Sequence, residues 1–155
     1  MPELKHAHRL RSGRYSESGQ IYLLTAVVLN REPLFRNFKN GRLVVDAFRT
    51  AEREELAASL AWMVMPDHFH WLIELQNTQL STLMARTKSR IAVTVNRSIR
   101  RQGPVWQHGY HDRDDRAIRK EEDLQAVARY IVANPLRAGL VEKVGDYPLW
   151  DAIWL

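Results

Sequence analysis

Residues 61–75 read Ala61-Trp62-Met63-Val64-Met65-Pro66-Asp67-His68-Phe69-His70-Trp71-Leu72-Ile73-Glu74-Leu75. The run is apolar on both sides of a Pro66-Asp67 break, which predicts two strands, 60–65 and 68–75, joined by a tight turn. Side chains on a strand alternate with a period of two, so His68 and His70 share one face while Phe69 and Trp71 share the other. Two imidazoles side by side on one face are able to share a divalent cation. The plainer reading is a pair of hydrogen-bonded histidines, and only residues from elsewhere in the chain decide between the two.

Outward from the hairpin, 20–30 is rich in β-formers (Ile21, Tyr22, Leu23, Leu24, Val27, Val28, Leu29) and reads as a buried strand that Arg31-Glu32-Pro33 ends. Residues 40–57 have helical spacing, with Leu43, Val44, Ala47, Phe48 and Ala51 on one side. The clearest amphipathic helix is 79–101. Leu80, Leu83, Met84, Ile91 and Val95 make its apolar stripe, opposite Arg86, Arg90, Arg97, Arg100 and Arg101. Lys88 falls beside the stripe, either snorkelling to water or pointing into a cleft lined by the sheet. Gly103-Pro104 stops this helix, and 105–107 reads as a short strand.

A last helix is expected over 115–134, packed through Ile118, Leu124, Val127, Ala128 and Ile131 and closed by Pro135 and Gly139. Tyr130 and Asn134 stand at i and i+4 on it and so share a face. The apolar tail, 146–155, is expected to pack onto the body and to lie across a groove, as a gate over the site or a seal in a dimer. Paired strands alternating with helices fit an α+β domain with a mainly antiparallel sheet flanked by helices. A ferredoxin-like arrangement puts the histidine strand centrally and leaves the last helix free to bring Tyr130 to it.

A chain of 155 residues, 45% hydrophobic, supports a single packed domain over 1–155. It has no cysteine, so any metal must be held by nitrogen and oxygen. The longest uncharged apolar run, 21–29, is too short to span a bilayer, and the first residues lack the apolar core of a signal peptide. A cytoplasmic location follows. The net charge of +5 is unevenly spread: no acidic residue occurs from Leu75 through His111, and Lys5, Arg9, Arg11 and Arg14 crowd the N-terminus. That segregation favours a nucleic-acid partner over a small molecule.

A divalent ion on His68, His70 and the side-chain oxygen of Asn134 would keep open positions for phosphodiester oxygens. Tyr130, one turn before Asn134, would reach the same phosphate. A phenol ordinarily titrates near pH 10, so it needs a metal or a basic neighbour to act as a nucleophile. Lys88, if it faces the cleft, is a candidate for that positive field.

Several stretches of the chain resemble the motifs of a known family. His68-Phe69-His70 looks like the histidine–hydrophobic–histidine (HUH) signature of single-strand DNA nucleases. Tyr130-Ile131-Val132-Ala133-Asn134-Pro135-Leu136-Arg137-Ala138-Gly139-Leu140 resembles the tyrosine segment of single-tyrosine HUH transposases, and most closely that of the REP-associated tyrosine transposases of bacteria. Arg9-Leu10-Arg11-Ser12-Gly13-Arg14-Tyr15-Ser16 and Trp106-Gln107-His108-Gly109-Tyr110-His111-Asp112 are similar to further motifs of that subgroup. The resemblance implies a ferredoxin-like fold and a Mg²⁺ or Mn²⁺ ion on His68 and His70. It makes Tyr130 a nucleophile that forms a 5′-phosphotyrosine and frees a 3′-OH. Many relatives carry glutamine as third ligand where this chain, like the REP-associated subgroup, has Asn134.

It further implies a partner: single-stranded DNA hairpins from repetitive extragenic palindromes, met on the nucleoid by a monomer or a homodimer. Arg9, Arg11, Arg14 and Tyr15 are candidates for reading unpaired bases, by hydrogen bonds and stacking. Arg86, Lys88, Arg90, Arg97, Arg100 and Arg101 are candidates for holding the hairpin backbone.

Two rival readings stand beside this one. His68, His70 and Glu74 share strand parity and match part of a cupin metal motif, although a cupin needs more strands than this helical chain offers. A catalytically inactive hairpin-binding protein is the other. His111, Asp112, Asp114 and Asp115 read as turn and helix-start residues.

Overall fold

The computed structural model describes residues 19–107, 116–119, 123–143, 145 and 147–152. Strand β1 (Ile21–Val27) leads through two short 3-10 turns into helix α1 (Phe38–Arg53), then β2 (Ala57–Met65), β3 (His68–Leu75) and helix α2 (Leu80–Ile99). A short strand β4 (Arg116–Ala117), helix α3 (Leu124–Val132), a single helical turn α4 (Asn134–Arg137) and strand β5 (Trp150–Ala152) follow. The sheet runs β4-β1-β3-β2-β5 with every pairing antiparallel. Its first four strands stand in the order 4-1-3-2 expected of a ferredoxin-like βαββαβ unit, with β5 added outside β2. The α+β class and the central histidine strand are as the sequence predicts. Among the described residues no helix is long and apolar enough to cross a membrane.

Strand parity sorts the core into two layers. Phe69, Trp71, Ile73 and Leu75 of β3 join Tyr22, Leu24 and Ala26 of β1 under helices α1 and α2. This layer is aromatic: Phe48 of α1 stacks on Trp71 with ring centroids 4.3 Å apart, and Trp106 meets Phe69 edge-on at 5.6 Å. The other face carries Met63, Met65 and Leu72 under Ala128, Ile131 and Val132 of α3. A register shift between Ser59 and Ala61 restores alternation along β2, so that Trp62 and Val64 still face the aromatic layer.

Helix boundaries follow local chemistry. Asn37 caps α1 by accepting from the amides of Lys39 and Asn40, three residues before the expected start. The expected helix over 115–134 is corrected. Arg116 and Ala117 pair instead with Leu23 and Tyr22 of β1, and the helix begins only after Asp123, whose carboxylate caps it through the Ala126 amide. It then breaks at Ala133, because Pro135 has no N–H to give to the carbonyl one turn back.

The expected short strand at 105–107 is a single bridge, Val28 to Trp106. Of the expected tail, 147–152 covers a sheet edge, where β5 pairs with β2 and the Tyr147 hydroxyl donates to the Val64 carbonyl at 2.5 Å; 146 and 153–155 lie outside the described residues. Leu149 occupies the space over Gly41 of α1, where a Cβ would collide with it.

Candidate active site

β3 presents its histidines from the centre of the sheet. Val27 faces His68 across β1 and Met65 faces it across β2, so the strand is paired on both sides. Phe69 and Trp71, both fully buried on the opposite face, hold it like nails through a board. The two imidazoles lie edge to face with ring centroids 5.0 Å apart.

Each ring is fixed through the same nitrogen. The Nδ1 of His70 is 2.9 Å from Thr25 Oγ1, its register partner on β1. The Nδ1 of His68 is 2.7 Å from the Asp67 carboxylate, which also takes Arg31 at 3.3 Å. Burial pushes the Asp67 carboxyl up, but the contacts with His68 and Arg31 outweigh it and hold the pKa below its ordinary value. With Nδ1 engaged in both rings, Nε2 is the nitrogen left to bind a ligand. A carboxylate or hydroxyl behind the ring is the usual support of a metal-binding histidine. His70 is pushed down to about 4, by burial first and then by the nearby positive charge of His68 and Arg137. A neutral imidazole, the form able to ligate a cation, is therefore kept at neutral pH.

Helix α3 brings the second half of the site. Its buried side, Ala128, Ile131 and Val132, packs on the histidine face of the sheet. Tyr130 lies outside that packed side and is 64% exposed. A cleft of about 480 Å³ is lined by Thr25 and His70 from the sheet, Tyr130 and Asn134 from α3–α4, and Arg116 from β4. Residues sixty positions apart in the chain thus meet in one cleft.

Arg137 completes this half. Its guanidinium lies 3.9 Å from the centroid of the Tyr130 ring, and Nη2 donates to the Tyr130 carbonyl at 2.7 Å and to Asn134 Oδ1. Asn134 Nδ2 is buried without a hydrogen-bond partner.

The donor set suits a divalent cation: two imidazoles with their second nitrogens anchored, and an amide on the same cleft. The cupin-type set is not assembled. Glu74 is exposed, the sheet is single, and among the described residues no group of three His, Asp, Glu or Cys side chains could hold a metal.

The basic candidates separate. Arg9, Arg11, Arg14, Tyr15, His111, Asp112, Asp114 and Asp115 lie outside the described residues. Arg86, Arg90 and Arg97 line a groove of about 710 Å³ between α2 and α1, on the sheet face opposite the histidines. Arg100 is an exposed left-handed cap of α2.

Lys88, for which the sequence left open a place in water or in a cleft, does not line the cleft of His70 and Tyr130. Its ammonium sits 5.7 Å from the Trp106 ring, in the layer behind β3. Arg101 is turned inward, bonded to Glu32 Oε1 at 3.0 Å, Asn96 Oδ1 at 3.0 Å and the Pro104 carbonyl at 3.0 Å. Thr25, Asp67, Arg116 and Arg137 are site residues that the sequence reading did not single out. A lone threonine in an apolar strand, and an arginine seven residues after the tyrosine on the same helical face, were the available signals.

Comparison with known proteins agrees with this geometry. Residues 17–134 match the family described as transposase IS200 like. A putative REP-associated tyrosine transposase of Haemophilus influenzae is 26% identical, over 84% of this chain and 78% of its own length. The REP-associated tyrosine transposase of Escherichia coli K12 is 24% identical, over 87% and 78%. Among solved structures, a REP-associated tyrosine transposase bound to a REP hairpin superposes with a TM-score of 0.72 at 23% identity, covering 88% of this chain and 79% of that one. A putative transposase from Deinococcus radiodurans superposes with a TM-score of 0.52 at 15% identity, over 77% and 93%.

Proposed function

Because the chain belongs to the IS200-like transposase family, we propose that it is a metal-dependent single-strand DNA endonuclease and strand transferase that acts on hairpin-forming repeated palindromes. The observation that carries this reading is the meeting of His70, Tyr130 and Asn134 in one cleft, with His68 beside His70.

His68 and His70 would hold Mg²⁺ or Mn²⁺, with Asn134 as third ligand. The ion would supply Lewis-acid charge neutralisation at the phosphate. The Tyr130 hydroxyl oxygen attacks phosphorus in line; its O–P bond forms as the bond from phosphorus to the 3′ oxygen breaks. The phenol gives up its proton and the departing 3′ oxygen gains one. The product is a 5′-phosphotyrosine with a free 3′-OH, and attack by another 3′-OH reverses the step onto a new strand. The exposure of Tyr130 suits it to a polymer substrate that must come and go. Thr25 and Asp67 keep the two rings oriented, and the arginine of β4, Arg116, stands on the cleft rim where a phosphate would pass.

Arg9, Arg11, Arg14 and Tyr15 remain the proposed readers of unpaired bases. Arg86, Arg90, Arg97 and Arg100 form the proposed backbone contacts, on a face that a hairpin would have to reach around the sheet. Lys88 and Arg101 are less suited, one packed on Trp106 and the other bonded inward. The cytoplasm, on the nucleoid, is the proposed place of action.

The test is a covalent adduct. Labelled single-stranded hairpins taken from palindromes flanking the gene are incubated with wild type or Tyr130→Phe, with Mn²⁺ or EDTA, and run on a denaturing gel. A Mn²⁺-dependent shifted band from wild type, absent from Tyr130→Phe, is expected. Tight hairpin binding with no adduct from wild type would instead favour a DNA-binding protein without cleavage.

A further inference from the structure

We propose that Arg137 is a positioning residue that clamps Asn134 and Tyr130 while no cation is bound and releases Asn134 when one binds, so that metal loading and freeing of the tyrosine are one event. The inference rests on the metal site proposed above.

Three contacts of one guanidinium carry it: the stack on the Tyr130 ring, the bond to the Tyr130 carbonyl and the bond to Asn134 Oδ1. The amide that would serve as third ligand thus has its oxygen engaged by a cation already. A guanidinium and a divalent ion on the same oxygen would stand within a few ångströms of each other and repel strongly in a partly buried site. The amide must therefore change partners to ligate.

Its other end shows that the present arrangement is a compromise. Asn134 Nδ2 is buried with no acceptor among the described residues, a cost that the present placement of the amide carries. Pro135 adds to this by breaking the helix between Tyr130 and Arg137, so the turn bearing Asn134 and Arg137 is joined to α3 by an interrupted ladder. Asn134 is therefore able to shift without unravelling the helix that carries the nucleophile.

The simpler alternative is that Arg137 only caps the end of α3 by binding its carbonyl. A cap alone would change stability and leave metal affinity untouched. By reciprocity, a clamp that competes with the metal lowers metal affinity by the same factor that the metal loosens the clamp.

The experiment counts free Mn²⁺ by its paramagnetic resonance signal during titration of the full chain, as wild type, Arg137→Ala, Arg137→Met and His70→Ala. Arg137→Met keeps an unbranched stem over the tyrosine ring and so guards against a variant that fails to fold. Mn²⁺ affinity is expected to rise at least about fivefold in both Arg137 variants. In wild type, Mg²⁺ is expected to move the Arg137 side-chain N–H resonance, identified by its absence from Arg137→Met.

Affinity within twofold of wild type, or weaker, in the folded variants overturns the clamp, as does a resonance that Mg²⁺ leaves in place. If wild type shows no Mn²⁺ binding that His70→Ala abolishes, the metal reading falls and the clamp with it. His70-dependent binding that the Arg137 variants leave unchanged removes the clamp alone.

Discussion

The two halves of the candidate site are built to different standards of rigidity. Strand β3 is paired along both edges, and Phe69 and Trp71 are completely buried behind the histidines. Both imidazoles are tied at Nδ1. The segment that carries Tyr130 is a nine-residue helix with three buried side chains, broken at Ala133, and its tyrosine is 64% exposed. A proposed metal site gains from a fixed frame, because ligands placed in advance lose little freedom on binding. A nucleophile that must meet a strand, stay bonded to it and hand it on gains from a lightly held element. Under the proposed function, the central strand would serve the first task and the peripheral helix the second.

The largest expected effect tests that contrast through stability. Trp71→Ala removes a ring stacked on Phe48 and leaves the Ser59 hydroxyl without its indole donor. It should cost about 3–5 kcal/mol in urea unfolding. Tyr130→Phe, at an exposed position, should change stability by less than about 0.5 kcal/mol. Comparable losses from both would mean that the tyrosine helix is as deeply anchored as the strand.

The next effect uses pH. His70 titrates near 4 in the folded chain, against 6.5 for the free side chain. Between those values the unfolded chain takes up a proton that the folded chain refuses, so stability falls as pH drops from 6.5 towards 4 and the contribution is spent below that. The gap corresponds to about 3 kcal/mol at most. Urea midpoints in EDTA at pH 7, 5.5 and 4 should show this decline, and His70→Gln should remove most of it. An equal decline in His70→Gln would place the acid sensitivity elsewhere.

The same contrast explains what was readable from the chain. Alternation over His68–Leu75 names the strand, its ends and the side to which each histidine belongs, because burial on one face and chemistry on the other leave only one register. The ferredoxin-like class followed from the succession of elements, although its fourth strand was expected at 105–107 and stands at 116–117. Arg116 and Ala117 were not readable as a strand, since two residues have no period and their pairing depends on the edge that β1 offers. Lys88 illustrates a different limit. An apolar stripe says which face of a helix is buried, but not which side of the sheet it covers, and α2 covers the side away from the histidines. Thr25 is a partner made by tertiary contact, so its role emerges only when β1 is placed beside β3, whereas Arg137 meets Tyr130 and Asn134 within its own stretch of chain, where the spacing alone was the signal.

The smallest effect separates the halves by sign. Thr25 is buried opposite His70, and Thr25→Val keeps its shape while removing the hydroxyl that contacts the ring at Nδ1. The stability change should be about 1 kcal/mol, the ordinary net value of one hydrogen bond. Mn²⁺ affinity should fall about 10- to 100-fold, as for other groups that orient a metal-bound histidine. Loosening the strand half should therefore weaken Mn²⁺ binding, whereas cutting the proposed Arg137 clamp in the helix half should strengthen it. Two substitutions on opposite sides of the candidate site, read by one titration, should move in opposite directions. If Thr25→Val leaves affinity unchanged, burial of β3 alone orients His70, and the frame is set by the core behind the strand rather than by the hydrogen bond beside it.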